Sequence, residues 1–369
     1  MDKVITEKIH DLINLLEKGR SNDYSAFLGF DACIDYIVRV VREKDEKSET
    51  GYFTTGPQFG EYIISRENKS CGIELETRIS KLGGNMAITA NALGNLGIKT
   101  ECAGTFGLPD ILPFFRSMSP NCTLHTIGET INATALEFSN SKVILFDPGP
   151  YNNLTWSSVK DLIGIEKMKE WLKGKQLVSF LNWSEIQHST AIWEGFLEEI
   201  VPFVIPSGSK LPFFTDFSDC SRKSAGEILK AIDLLSRFRK YFRVILSLNH
   251  NEADLVATAL GLAHNKSDEE FITSLHKLTN TDILIIHRTE DAIAFDGDSF
   301  KKCATFLCKD PAILTGGGDN FNAGFCMAQL RGFDLSNSLL AANAVSGFYV
   351  RTGFSPTIDQ VINFLKESN

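Results

Sequence analysis

Leu314-Thr315-Gly316-Gly317-Gly318-Asp319-Asn320-Phe321-Asn322-Ala323-Gly324-Phe325 sets three glycines and an acid at the head of a helical pattern, in which Phe321, Phe325 and Leu330 recur at roughly helical spacing. Glycine lacks the Cβ that would hold a ligand off the main chain. The first turn of a helix offers unpaired N–H groups and the positive end of a dipole. A glycine run that opens a helix is therefore an anion site, most economically for a phosphate. An aspartate at that point is placed to take a proton from a hydroxyl that attacks the phosphate. The pattern implies phosphoryl transfer.

Upstream, five short apolar runs, 26–30, 177–181, 212–215, 244–248 and 283–286, do not alternate with polar residues. Both faces of such strands are buried, as in a parallel sheet covered by helices. Helical stretches such as 221–238 and 252–262 lie between them, so the alternation predicts an α/β fold with a doubly wound, mostly parallel sheet flanked by helices. A polar residue follows each run: Asp31 and Asp35, Asn182, Asp216, Asn249, and then His287. One such residue is an ordinary turn former. Five in the same position predict a shared carboxyl edge carrying a site, where open α/β sheets bind ligands.

Two regions break the alternation. Segment 36–80 holds extended pieces at 36–41 and 51–54 around a charged loop at 42–49, and 133–146 reads as a hairpin turning at Ser139-Asn140-Ser141. They predict a small discontinuous β lid, about 36–80 and 129–150, on a single α/β domain spanning 1–369. No internal repeat or low-complexity linker interrupts it.

Composition narrows the partners. With 37 basic against 46 acidic residues the chain carries −9, which argues against nucleic acid or an anionic membrane as partner. The eight cysteines form no C-x-x-C pair and have no histidine at zinc-ligand spacing, the pattern of a reduced, cytoplasmic chain. Residues 1–20 place Ile5, Ile9, Ile13 and Leu16 at helical spacing without an apolar signal core, and no run reaches the ~18 apolar residues of a spanning helix. There is no G-x-x-x-x-G-K-[ST] loop, no G-x-G-x-x-G fingerprint after the first strand, and no G-x-S-x-G elbow.

The motifs then fit a family. Thr315 to Phe325 resembles the T-G-x-G-D-x-F-x-A-G-F signature of the ribokinase-like (phosphofructokinase B) carbohydrate kinases. Leu82-Gly83-Gly84-Asn85, followed by Ala90, Leu93 and Leu96-Gly97, resembles that family's N-terminal di-glycine signature, and Asn249-His250-Asn251-Glu252 looks like its N-x-x-E motif. All three stand in the family's order, and the similarity runs from about Gly29 to Gly353. The resemblance implies a ribokinase-like fold, ATP as donor, Mg²⁺, and a sugar or sugar-like acceptor. It implies Asp319 as catalytic base with Gly316, Gly317 and Gly318 as the anion hole, since phosphoryl transfer is catalysed by positioning and electrostatics. It assigns the acceptor to Asp35, Gly83, Gly84, Asn85 and Asn182. The nucleotide side falls to Asn249, Thr315, Asn343 and Asp216, and Mg²⁺ to Glu252 through water. A homodimer through the lid is expected by the same analogy.

Blander roles exist for several of these residues. Asp319 could cap its helix, Asn249 and Glu252 could form a capping box, Gly83-Gly84 could mark a close backbone approach, and helix-core packing explains the alanines of 341–347, so that only Asn343 is kept from that stretch. Three departures from the family stand out. Ile313 occupies the place, six residues before the base, where many relatives have a cation-ligating aspartate. Ile88 replaces a usual asparagine, and His287-Arg288-Thr289 stands where a T-x-G motif usually follows a strand. A nucleoside kinase of the same fold, an ADP-dependent kinase, and a catalytically silent sugar or nucleotide sensor are the alternative readings.

Overall fold

Every one of the five apolar runs folds as a strand. A computed structural model describes residues 3–18, 23–44, 50–139, 141–263 and 267–368. Its strands in chain order are β1 (Ser25–Phe30), β2 (Cys33–Glu43), β3 (Gly51–Tyr52), β4 (Leu75–Gly83), β5 (Lys99–Gly104), β6 (Cys122–Thr126), β7 (Ile131–Glu137), β8 (Lys142–Phe146), β9 (Leu177–Leu181), β10 (Leu211–Asp216), β11 (Phe242–Asn249), β12 (Ile283–His287), β13 (Asp291–Phe295) and β14 (Phe300–Ala304). Nine of them form one sheet in the order β14-β13-β12-β11-β10-β9-β1-β5-β6. From β12 to β6 every neighbouring pair is parallel, and β13 alone is reversed, pairing antiparallel with β12 on one side and β14 on the other. The runs read from sequence are therefore contiguous in space, and their carboxyl ends lie along one edge.

Side chains alternate across such a strand, which splits the interior into two layers. Phe27, Phe180, Phe213 and Leu246 join the core on one face, while Leu28, Leu181, Phe214 and Ile245 join the other. The second layer takes the helices Asn85–Asn95, Gly317–Leu330 and Leu335–Thr352, and the N-terminal helix Lys3–Lys18, which buries Ile9, Ile13 and Leu16 as its spacing predicts. All eight cysteines are free thiols, and only Cys71 is exposed. Among the described residues no helix is long and apolar enough to cross a membrane.

The lid is a second, mixed sheet of order β3-β2-β7-β8 with β4 paired to β2. The β7–β8 hairpin forms where the sequence places it, although Asn140 at its turn and residues 45–49 of the charged loop lie outside the described residues. Two elements of 36–80 escaped the pattern: β4, and the helix Gly56–Ser65, whose Phe59 and Tyr62 cover a small core of Val38, Val40, Phe53, Leu136 and Phe138. β4 is mostly exposed and mixes charged with apolar residues, so it has no period to read. Within the lid β2 starts at Cys33 and β4 ends at Gly83, so this pair runs straight into the strand edge below.

Candidate active site

Asp31 follows β1 and is fully buried. Its Oδ1 accepts from the Met86 amide at 2.8 Å, and its Oδ2 accepts from the Asn85 amide at 2.8 Å and from Asn182 Nδ2 at 2.7 Å. The carboxylate thus caps the helix Asn85–Asn95, whose own N-cap residue, Gly84, has no side chain to do so. Gly84 sits at φ +89°, and a Cβ there would lie 2.8 Å from Asp31 Oδ2 and 2.9 Å from Ala32 Cα. Burial pushes the Asp31 carboxyl up to about 6 against the downward pull of these donors. Asn182, at φ +57°, has both ends of its side chain engaged: Nδ2 on Asp31, and Oδ1 accepting from the Glu185 amide at 3.3 Å. It holds Asp31 in place. A Cβ on Gly83 would run into the Asp35 carboxylate, so the two glycines admit the protein's own acids.

The glycine run opens the helix Gly317–Leu330. Gly316 takes φ +98°, and a Cβ on it would lie 2.5 Å from Tyr349 Oη. Gly317 donates its amide to Leu314 O at 3.1 Å, and Gly316 O accepts from the Asn320 amide at 3.0 Å and Asn320 Nδ2 at 2.8 Å. The amides of Gly318 and Asp319 meet no backbone acceptor among the described residues, and Gly318 lines a cavity of about 830 Å³. Asp319 is buried, and its Oδ1 has no hydrogen-bond partner. Burial holds its carboxyl well above the usual carboxylate range, the Asp216 and Asp31 charges push the same way, and Lys81 opposes them.

Beneath this helix Ser247 Oγ donates to Asn322 Oδ1 at 2.8 Å, Asn322 Nδ2 donates to Asp216 Oδ2 at 2.6 Å, and the Ser218 amide donates to Asp216 Oδ1 at 2.8 Å. This chain ties the ends of β10 and β11 to a helix residue one turn from Asp319 and fixes the helix's rotation. Asp216 is buried in that network and does not line the cavity.

Asn249 and Glu252 form the reciprocal cap: the Glu252 amide donates to Asn249 Oδ1 at 2.9 Å, while Glu252 accepts from the Asn249 amide at 2.8 Å and from Asn249 Nδ2 at 2.6 Å. Burial raises the Glu252 carboxyl well above its usual range, and the charges of Asp216, Asp219 and Asp319 add to it. No three potential metal ligands converge among the described residues. Carboxylates that mutually resist ionisation, without a closed ligand set, fit a cation that keeps most of its water, as Mg²⁺ does.

The 830 Å³ cavity runs from the ends of β11 and β12 to the helix Leu335–Thr352, with Asn249, Gly317, Gly318, Phe321 and Asn343 on its walls. That volume accommodates a nucleotide. Asn343 donates Nδ2 to Cys303 O at 3.2 Å and Ala304 O at 3.1 Å, pinning β14 to the wall. Arg288 is committed at the rim, paired with both oxygens of Asp268 at 2.7 and 2.9 Å and with Asp291 at 2.5 Å. His287 packs its ring against Gly318 and Phe321, and its Nε2 has no partner.

On the other side the lid comes down. Asp35 on β2 lies directly across from Lys81 on β4. Lys81 Nζ donates to Thr315 O at 2.7 Å, and Lys142 Nζ from β8 donates to Thr315 Oγ1 at 2.7 Å. Thr315 therefore faces the lid and does not line the cavity. Burial raises the Asp35 carboxyl, and Lys81 and Lys142 draw it back. Asn85 is partly exposed; its amide is held by Asp31, and its side chain has no hydrogen-bond partner among the described residues. Asp319 thus feels the charges of Asp35 and Lys81 from the lid side, while the neighbouring Gly318 opens onto the cavity.

A family model described as prokaryotic ketohexokinase matches residues 12–368. The chain belongs to the prokaryotic ketohexokinase family. It is a carbohydrate kinase of the ribokinase-like group, a phosphotransferase. A ketohexokinase of Haloferax volcanii is 26% identical over 338 residues, covering 91% of this chain and 89% of the relative. Among solved structures, Arabidopsis thaliana ribokinase complexed with ribose and ATP superposes with TM-score 0.65 at 16% identity, covering 93% of this chain and 99% of that one. Ribokinase from Thermotoga maritima gives 0.63 at 15% identity, with 94% and 100% covered. These two share the fold of this ketohexokinase-family chain: a mostly parallel sheet between helices, with a smaller mixed sheet as lid.

Sequence reasoning missed Lys81, Lys142 and Asn322, and saw Asp31 only as a strand end. Asn322 lies one turn after Asp319 within the signature and was legible as a second inward polar residue. The lysines carried no signal, because the lid strands that bear them have no motif.

Proposed function

We propose that the chain transfers the γ-phosphoryl group of ATP to a hydroxyl of a ketohexose, with Asp319 as the base. One observation carries this reading: a buried carboxylate oxygen of Asp319, without a partner, at the head of a helix whose Gly318 and Asp319 amides are open. An unpaired buried acceptor costs about 1–3 kcal/mol, and a proton-accepting role explains why it is kept. The ketohexose comes from the family model and from the Haloferax relative, which agree on that sugar class.

In this reading the acceptor lies between Asp35, Asn85 and Asp319, with Asp35 accepting from its hydroxyls. Asp319 orients the attacking hydroxyl and takes its proton as the oxygen bonds to the γ-phosphorus. The bond to the bridging oxygen breaks, and ADP leaves. The Gly318 and Asp319 amides meet the charge on the phosphoryl oxygens. Glu252 would hold Mg²⁺ through water, and the ion would supply charge neutralisation to the transferring phosphate, while Asp216 serves the nucleotide side indirectly by fixing the helix of Asp319 through Asn322. Asn249 and Asn343 line the nucleotide cleft, Asn343 by fixing its wall. Asn182, Gly83 and Gly84 serve the acceptor indirectly, through Asp31 and Asp35, and Thr315 positions the glycine run. The half-exposed Ile79, Ile144 and Leu145 on the lid strands are the surface on which a second copy would close.

The test is ADP release over a panel of ketohexoses, aldoses, their phosphates and nucleosides, with ATP and with ADP as donor. Ketohexose with ATP is the expected pair; a nucleoside preference would replace the acceptor assignment, and ligand binding without product would make the chain a sensor. Asp319→Asn should lower kcat by at least about 10³-fold with the fold intact. A variant within threefold of wild type would remove Asp319 from its role.

A further inference from the structure

The carbonyls of Leu314, Thr315 and Gly316 are each held on the protein side of the glycine loop. Leu314 O takes the Gly317 amide, and Gly316 O takes Asn320 twice. Both ties are local and form with the helix itself. Thr315 O is different: it accepts from Tyr349 Oη at 2.9 Å and from Lys81 Nζ at 2.7 Å, and Lys81 lies 234 residues away, on the lid. Lys142, on another lid strand, takes the Thr315 hydroxyl. Two of the lid's ammonium groups thus end on the one residue that precedes the three glycines.

We propose that Lys81 is a positioning residue, which seats the phosphate-binding glycine loop from the lid by holding the Thr315 carbonyl, so that the open amides of Gly318 and Asp319 take their working orientation only with the lid down. The inference rests on the proposed role of that loop in phosphoryl transfer. Four features support it. Lys81 makes no ion pair among the described residues, although Asp35 and Asp319 both act on its charge, and its ammonium goes to a carbonyl and to Tyr349 Oη at 3.3 Å. Its place is fixed by strand register, directly across from Asp35, so acceptor contacts at Asp35 and the hold on Thr315 are set by the same pair of strands. Gly316 must lack a Cβ for Tyr349 to reach the same carbonyl. The loop's backbone is glycine at three successive positions, and the other distant side-chain ties on its carbonyls, Tyr349 Oη on Thr315 O and Ser346 Oγ on Gly317 O at 2.9 Å, come from the helix Leu335–Thr352, so Lys81 is what links the Thr315 carbonyl to the lid. The consequence is an order of events: a lid raised for acceptor entry leaves the anion site unseated, which limits transfer of the phosphoryl group to water.

Lys81→Ala and Lys81→Arg test this together. Loop order is read without turnover, by amide hydrogen exchange over 314–320 in the full-length protein with ADP bound. Lys81→Ala should speed exchange there at least tenfold and leave strand 242–249 unchanged, whereas Lys81→Arg, which keeps a donor, should exchange like wild type. In turnover, Lys81→Ala should lose 10- to 100-fold in kcat with the ADP dissociation constant within threefold of wild type, and 50 mM methylammonium, but not tetramethylammonium, should restore part of kcat. Unchanged exchange at 314–320 in Lys81→Ala overturns the proposal. So does a loss of kcat that neither arginine nor methylammonium relieves. If the wild type phosphorylates no ketohexose, the acceptor assignment fails, while the exchange experiment still decides the role of Lys81.

Discussion

Gly84→Ala should cost this protein far more than an ordinary glycine substitution. Gly84 has φ +89° and ψ +129°, outside the left-handed helical well that a few side chains tolerate. Strain of that kind costs about 1–3 kcal/mol. The added methyl would also lie 2.9 Å from Ala32 Cα, which is backbone, and 2.8 Å from Oδ2 of Asp31, whose carboxylate is held by three donors, two of them on that oxygen. Neither can step aside cheaply, and forced overpacking adds about 1–3 kcal/mol. Reduced freedom of the unfolded chain returns about 0.4–1 kcal/mol, which leaves a net loss of roughly 1–5.6 kcal/mol, centred near 3. Gly97 supplies the control, because it has φ +86° but nothing within 4 Å of its would-be Cβ. Gly97→Ala therefore carries conformational strain alone, and should cost about 1 kcal/mol net. Urea unfolding of the two variants side by side, at equal slopes, reads the difference. Equal midpoints for Gly84→Ala and Gly97→Ala would refute the claim that Asp31 and the Ala32 backbone enforce glycine at 84.

Two further outcomes follow from the charges. Because burial and then Asp216 and Asp31 raise the Asp319 carboxyl, with Asp35 adding to them and Lys81 opposing, kcat/KM should fall on acidification through a pKa above the ordinary carboxylate value of about 4. Asp216→Asn should move that limb to lower pH and Lys81→Ala to higher pH; an acid limb that moves in neither variant breaks the electrostatic picture. Turnover should vanish in excess chelator and return with Mg²⁺. Glu252→Gln should raise the Mg²⁺ concentration for half-maximal rate about tenfold, while its weakened cap lowers stability by about 1 kcal/mol; an unchanged Mg²⁺ requirement would leave Glu252 as a cap alone.

The chain's own order of residues determined the sheet and the catalytic candidate. Strands buried on both faces must be apolar throughout, so runs such as 244–248 announce themselves, and a glycine run before an acid admits few uses. Asn249 and Glu252 were legible for the same reason: a cap is a contact between residues three apart. What only the tertiary structure decided is which polar residues serve the ligand and which serve one another. Asn182 and Asp216 have the chemistry of ligand contacts, yet both are consumed within the protein, one by Asp31 and the other by Asn322. Asp31, Lys81 and Lys142 matter through partners 54 to 234 positions away. Such contacts are set by strand register and by how the lid meets the sheet, and neither leaves a period or a spacing in the sequence.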